Sequence, residues 1–176
     1  SAVKRPTYIL NRGSYDSPSD VEVRQEAPEA IMEFDTLNYS RDRLGLAQWT
    51  VNLNNPLTAR VFVNLVWQEI FGKGIVKTPG DFGFQGQLPT HPELLDWLAV
   101  DFMENNWDIK YLVKQILTSS TYRQSAEISS KHLAEDPDNN FYARSPRVRF
   151  KAEIIRDWVL SSSGLLHPEI GGPSVK

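Results

Sequence analysis

Along most of this chain the apolar residues recur three and four positions apart, the spacing of one face of a helix. Leu44, Ala47, Gln48 and Val51 share a face in a first predicted helix, roughly Arg41 to Leu53, with Ser40 as its N-cap and Trp49 beside the stripe. Val61, Phe62, Leu65, Val66 and Ile70 repeat through a second helix, which opens at Asn55-Pro56. There Asn55 caps and Pro56 takes the first helical position, where a missing N–H costs nothing. That helix runs to Phe71, and Gly72 stops it by adopting a positive φ. Thr90-His91-Pro92-Glu93 reads as a capping box opening a third helix, which turns Leu94, Leu95, Trp97, Leu98 and Phe102 inward and ends at Asn105-Asn106. Asp108 caps a fourth helix striped by Ile109, Leu112, Val113, Ile116 and Leu117. Ser145-Pro146 precedes a last helix, about Arg149 to Leu166, whose expected buried face is Ile154, Ile155, Trp158, Val159 and Leu165.

Two stretches break this period. Residues 1–39 read as an extended arm packed on the helical body, with a short strand at Tyr8-Ile9-Leu10 and a turn at Asn11-Arg12-Gly13-Ser14. Lys4 to Asp35 carries four basic and seven acidic residues and no helical repeat. Residues 73–90 form a loop punctuated by Gly74, Gly80, Gly83 and Gly86 and interleaved with Phe82 and Phe84; loops of this length inside a domain are uncommon and often functional. Asp136-Pro137-Asp138-Asn139-Asn140 is a turn. The expected fold is mainly α: about five helices in one compact orthogonal bundle over residues 40–176, an N-terminal arm with a short strand, and a long glycine-rich loop. No repeat of 20–50 residues recurs, which excludes a solenoid.

Composition narrows the function classes. The 176 residues include 40% hydrophobic and 23% charged side chains, a folded profile, and five Trp, eight Phe and six Tyr supply bulky core material. The net charge of −3 argues against non-specific nucleic-acid binding, which needs a basic excess. Without cysteine the chain makes no disulfide, thiolate metal site, covalent haem attachment or cysteine nucleophile. No apolar run reaches the roughly 18 residues of a membrane span. The first residue is not Met and the last follows a turn, as expected of a segment of a longer polypeptide.

The candidate chemistry is polar: Arg60, Asn64, Asp81, His91, Tyr122, Arg123, Arg147, Glu153, Arg156 and Asp157. Arg60 and Asn64, four apart, share a helix face, as do Glu153, Arg156 and Asp157. Arginine forks suit carboxylate, sulfate or phosphate, so one reading is an anion or sugar site. The other is an internal ion-pair network that pins loops onto helices, since such groups are buried only when paired. No catalytic set is complete. His91 with Glu93 falls short of three metal ligands in a chain of three histidines, so no metal site is expected. Asp81-Phe82-Gly83 lacks the glycine loop and catalytic loop that give this triplet meaning in kinases. No Gly-x-Ser-x-Gly elbow occurs. Asp81 with Glu153 or Asp157 is the one imaginable glycosidase pair. Phe82 and Phe84 are the aromatics expected to be exposed for contact; Trp67, Phe71, Trp97 and Trp158 are expected in the core.

Pro56-Leu57-Thr58-Ala59-Arg60-Val61-Phe62-Val63-Asn64, Trp67-Gln68, Phe71-Gly72, Gly74 and Thr78-Pro79 resemble the signature block of a planctomycete-type domain of unknown function, the planctomycetal PSD-type family. Asp81-Phe82-Gly83, Gly86, Pro89, His91 to Ala99, Ser119, Thr121 to Ser125, Pro146-Arg147, Glu153, Arg156-Asp157 and Gly164 continue the resemblance, which runs from about Arg5 to Pro173. Leu65 stands where the family often has arginine, so no role of that arginine carries over. The family domain also usually continues beyond Gly171-Gly172-Pro173. The resemblance implies large exported, periplasmic or extracellular proteins that commonly also carry a cytochrome c domain. Any haem would then lie outside this chain, and no cofactor is expected within it. No catalytic residue comes with the resemblance. The expected role is a non-catalytic interaction or scaffolding module that docks neighbouring domains of the same polypeptide through the loop and the arm. The alternative is a domain that binds or acts on anionic polysaccharide.

Overall fold

In the computed structural model, which describes residues 5–168 and 171, six helices and one small sheet follow the order β1 (Thr7–Leu10), β2 (Pro18–Val23), α1 (Arg43–Thr50), α2 (Thr58–Phe71), α3 (Pro92–Glu104), α4 (Ile109–Thr118), α5 (Ser130–Glu135) and α6 (Ala152–Ser162). The fold is mainly α. Gly172 and Pro173, where the resemblance ends, lie outside the described residues. The chain divides into two compact units, Ser1–Ser119 and Ser120–Lys176.

In the first unit, β1 and β2 form an antiparallel hairpin pairing Thr7 with Val23, Tyr8 with Glu22 and Leu10 with Pro18, with an irregularity between Tyr8 and Leu10. β2 went unforeseen because Pro18 and the acids mask its short Val21/Val23 alternation; proline is tolerated at the first position of an edge strand. Beyond the hairpin, residues of the arm meet α1. Ala27 and Phe34 are buried with Trp49 of α1, and Ile31, Met32 and Tyr39 close around them. The Trp49 indole donates to the Met32 carbonyl at 3.0 Å, and the Asn52 amide donates to the Tyr39 hydroxyl at 2.6 Å.

The Asp35 carboxyl tightens the turn that leads into α1. Hydrogen bonds from the Asn38 side chain and the Leu37 backbone hold its pKa below the ordinary aspartate value. A depressed folded-state pKa contributes stability that is full above the unfolded value and is lost as pH falls through the folded one. A carbon-detected NMR titration is therefore expected to find Asp35 protonating at lower pH in the folded chain than in urea.

Trp49 also corrects the predicted face of α1. Leu44, Ala47, Gln48 and Val51 are exposed, while Gly45 and Trp49 face inward. A Cβ at Gly45 would strike the Ser40 carbonyl, so the glycine admits the preceding turn. The cap is corrected as well: Asp42, not Ser40, accepts from the Leu44 and Gly45 amides at 2.9 and 3.0 Å. Asp42→Ala is expected to lower stability by about 1 kcal/mol in urea denaturation, and Ser40→Ala by much less.

α2 packs on α3, and α3 on α4. The buried side chains here include Val63, Trp67, Phe71, Ile75, Leu98, Phe102, Leu112 and Ile116. Phe102 stacks on Phe62 at 5.2 Å between ring centres and takes Trp107 edge-on at 5.3 Å. Asn55 does accept from the Leu57 and Thr58 amides, at 3.0 and 3.3 Å, but the helix begins at Thr58, so Pro56 precedes it. Gly72 ends α2 at φ 79°, and Asp108 caps α4 through the Lys110 and Tyr111 amides. Leu65 is exposed and the inward row is Ala59, Val63, Asn64, Trp67 and Phe71; a helix apolar nearly all round from Val61 to Trp67 leaves its face ambiguous. Trp97, expected inward, is 55% exposed. In α4, Ile109 and Leu117 are exposed and Leu112 and Ile116 carry the burial.

In the second unit, α5 is a six-residue helix with no apolar stripe, started by the Ser129 hydroxyl on the His132 amide. α6 is shorter than the 149–166 expectation. Its predicted buried face, Ile154, Ile155, Trp158, Val159 and Leu165, is exposed throughout, Trp158 at 69%. Amphipathic spacing marks a face able to be covered and says nothing of what covers it.

Candidate functional site

The glycine-punctuated loop after α2 is built from one buried side chain. Asn64, on the inward row of α2, is 0% exposed. Its amide donates to the Val76 carbonyl at 2.9 Å and its oxygen accepts from the Val76 N–H at 2.8 Å. One side chain thus satisfies both backbone groups of a buried loop residue, as an adjacent strand would. Ile75 and Val76 are driven into the core at the same point. Gly74 is required there, since a Cβ would sit 2.7 Å from both the Asn64 oxygen and nitrogen.

The far end closes on the near end. The Thr90 amide donates to the Ile75 carbonyl at 3.0 Å and the Thr90 hydroxyl to the same oxygen at 3.3 Å. This overturns the capping box: His91 is the N-cap of α3 with no side-chain cap bond, and the Thr90 hydroxyl serves the loop. His91 Nδ1 lies 3.0 Å from the Thr90 oxygen; because that hydroxyl donates to Ile75, the bond is satisfied when Nδ1 carries the proton.

Between these ends runs a second layer of bonds. The Thr78 hydroxyl donates to the Asp81 carbonyl and accepts from the Gln87 amide, both at 2.9 Å. The Asp81 carboxylate accepts from the Gly83 amide at 2.7 Å, and the Gly86 amide donates to the Gly83 carbonyl at 3.0 Å. Phe82 is half-buried, whereas Phe84 is fully exposed and Leu88 nearly so. Leu88 was not foreseen; lying in a Gln-Leu-Pro run outside every helical repeat, it gave no periodic signal.

The polar set divides among local tasks. Arg60 pairs with Asp96 of α3 at 2.6 Å and donates to the Pro56 carbonyl, at the surface, where such a pair contributes roughly 0–1 kcal/mol. Asn64 and Asp81 serve the loop. Tyr122 is half-buried in the second unit, where Arg123, Arg147, Glu153, Arg156 and Asp157 are exposed. Arg156 contacts its neighbour Asp157 at 3.1 Å in solvent. The pairs Arg41–Glu26, Arg60–Asp96, Lys131–Glu135 and Arg156–Asp157 join side chains a third or more exposed, and Arg123, Arg147 and Glu153 are exposed too, so these charges sit at the surface. Polar burial is done instead by Asn64 and by groups outside that set.

Chief among those is Arg144, whose guanidinium donates to the Asp136 and Pro137 carbonyls at 3.1 and 2.7 Å. Asn139, at φ 53°, donates to the Arg144 carbonyl at 2.8 Å, and the Asp136 carboxylate accepts from the Asn140 and Phe141 amides. The signal was the turn 136–140 itself: five turn-forming residues crowd their carbonyls together, and an arginine four positions on can collect them. Among the described residues no group of three or more His, Asp or Glu is placed to hold a metal ion, and no helix is long and apolar enough to cross a membrane.

A family model described as PSD1, protein of unknown function (DUF1553), matches residues 42–176. No curated protein and no solved structure matches the chain.

Proposed function

We propose, from the premise that the chain belongs to the PSD1 family of proteins of unknown function, that it is a non-catalytic interaction module of a multidomain extracytoplasmic protein. Residues 1–39 serve as an arm and residues 40–176 as the first part of a longer helical domain. The module docks a neighbouring domain of the same polypeptide through the loop from Gly72 to Thr90, and any haem belongs to another domain. One observation carries this reading: a loop held by the buried Asn64 and by its own side-chain bonds presents Phe84 and Leu88 to solvent. Ordering a loop ahead of binding removes an entropy cost from association. Exposed aromatic and aliphatic side chains on a fixed frame are the anchors that protein interfaces use.

Hydroxyl-radical footprinting of the full-length polypeptide tests the reading. Phe84 and Leu88 are expected to label at least fivefold more slowly there than in the isolated 176-residue chain. Phe84→Asp with Leu88→Asp is expected to restore fast labelling elsewhere on the docked surface. Equal labelling of both residues in the two proteins contradicts the reading.

A second reading, recognition of anionic polysaccharide, is favoured by the exposure of Arg123 and Arg147. It requires binding of sulfated or uronic oligosaccharides that weakens in Arg147→Ala; a glycan array with no such binding removes it.

A further inference from the structure

Two clefts on the first unit, of about 350 and 370 Å³, are lined in common by Gln25 and Arg41, where the chain leaves β2 and crosses the start of α1. They differ in chemistry. The first has mostly carbon walls, with Phe34 and Leu46 among its lining residues and Arg43 beside them. The second is more polar and takes Arg5 and Arg24 in its lining. Four arginines therefore line two adjoining clefts, against Glu22, Glu26 and Asp42, and one of the two is largely apolar.

The acids present are partly committed. Glu26 holds Arg41 at 2.5 Å. Asp42 is occupied with the Leu44 and Gly45 amides and the Ser40 hydroxyl. Glu22 lines the second cleft. Among the described residues no carboxylate lies within ion-pair distance of Arg5, Arg24 or Arg43. Three arginines without an ion-pair partner among the described residues thus line the two adjoining clefts while the chain as a whole is net negative at −3. Such a local reversal of sign draws an anionic partner and fixes its register.

We infer that this double cleft binds an acidic peptide segment, placing an apolar side chain against Phe34 and Leu46 and carboxylates against Arg5, Arg24 and Arg43. The carbon-walled end favours a peptide over a sugar acid, because sugar hydroxyls seated there would lose water without gaining partners. Glu22 and Val23, the last residues of β2, lie at the rim and provide an extended backbone beside which a peptide can lie. The inference goes beyond the loop-docking reading and fails or survives separately, since no loop residue lines either cleft.

The probe is a fluorescein-labelled pentapeptide, Glu-Asp-Phe-Glu-Asp, titrated into the whole chain at low salt and read by anisotropy. Saturable binding is expected, weakening as salt rises. Arg24→Gln with Arg43→Gln is expected to raise Kd roughly tenfold, from the loss of two charge-assisted contacts. Leu46→Ser, or alanine for the peptide's phenylalanine, is expected to raise it roughly threefold through lost apolar burial. Thermal melts monitored by circular dichroism confirm folding, and Arg5→Gln, outside every helix and strand, is the reserve variant. No binding at millimolar peptide overturns the inference, as does a Kd unchanged by the arginine variants. Equal or tighter binding of trigalacturonate, lost in the same variants, overturns it in favour of a sugar-acid site.

Discussion

Replacing Asn64 with alanine is expected to destabilise the first unit by about 3 kcal/mol, the combined effect of two buried backbone groups left without partners and a void in the core. Both the N–H and the carbonyl of Val76 lose their bonds at once, where no water reaches. In urea the midpoint followed by tryptophan fluorescence should fall by roughly 1–3 M, given slopes of about 1–3 kcal/mol per molar for domains of this size. Gly74→Ala should act through the same joint, because its Cβ would displace the Asn64 amide. Asn64→Asp separates the two bonds. The carboxylate still accepts from the Val76 N–H but repels the Val76 carbonyl, and burial raises its pKa in the folded state. The sign follows: a raised folded pKa makes the variant most stable when the carboxyl is protonated and able to donate. The deficit should therefore shrink on acidification and be largest at neutral pH.

Arg144→Met should have the second largest effect, about 2 kcal/mol, confined to the second unit. Methionine keeps the apolar stem but leaves the Pro137 carbonyl without the guanidinium and removes one of two donors at the Asp136 carbonyl. The turn at 136–144 should then open more often, by roughly the tenfold or more that such an energy represents. Thermolysin nicking between residues 136 and 144, at fixed protease concentration, reads that opening directly. Arg144→Lys should recover part of the loss at most, because a point ammonium lacks the planar fork that spans two carbonyls. Nicking at the wild-type rate in Arg144→Met would show that the turn holds itself.

How much of this was legible in the sequence depends on where each bond's partner lies along the chain. Gly72 and Asp108 were read correctly as a helix stop and a cap, because both act on atoms within four residues. Asn64 was read as part of a polar cluster, but its partner sits twelve residues away in a loop without periodicity, and only the fold brings Val76 to it. Thr90 shows the same limit: the local capping pattern was present, and a carbonyl fifteen residues earlier outcompeted it. Trp49 and Trp97 were misassigned because each helix has apolar residues on more than one side, and the neighbour decides which side is covered. In α6 the apolar spacing was visible and its burial was not, since spacing is a property of the helix and burial a property of what packs on it.

Among the candidate residues, the arginines were chosen for their charge, yet it is a neutral amide that organises the loop. An amide both donates and accepts, so it closes a backbone pair in the interior without the desolvation cost an ion would carry. The loop can therefore be firmly held at its root while its middle stays in solvent, the combination the docking reading requires.

Amide hydrogen exchange at Val76 tests that combination most directly. If Asn64 anchors the loop, the Val76 N–H exchanges only through opening of the first unit, as slowly as the amides of α2 and α3, and Asn64→Ala speeds it by two orders of magnitude or more, as about 3 kcal/mol implies. Exchange at Val76 as fast as at the exposed loop residues 84–88, in the unaltered chain, would contradict the account.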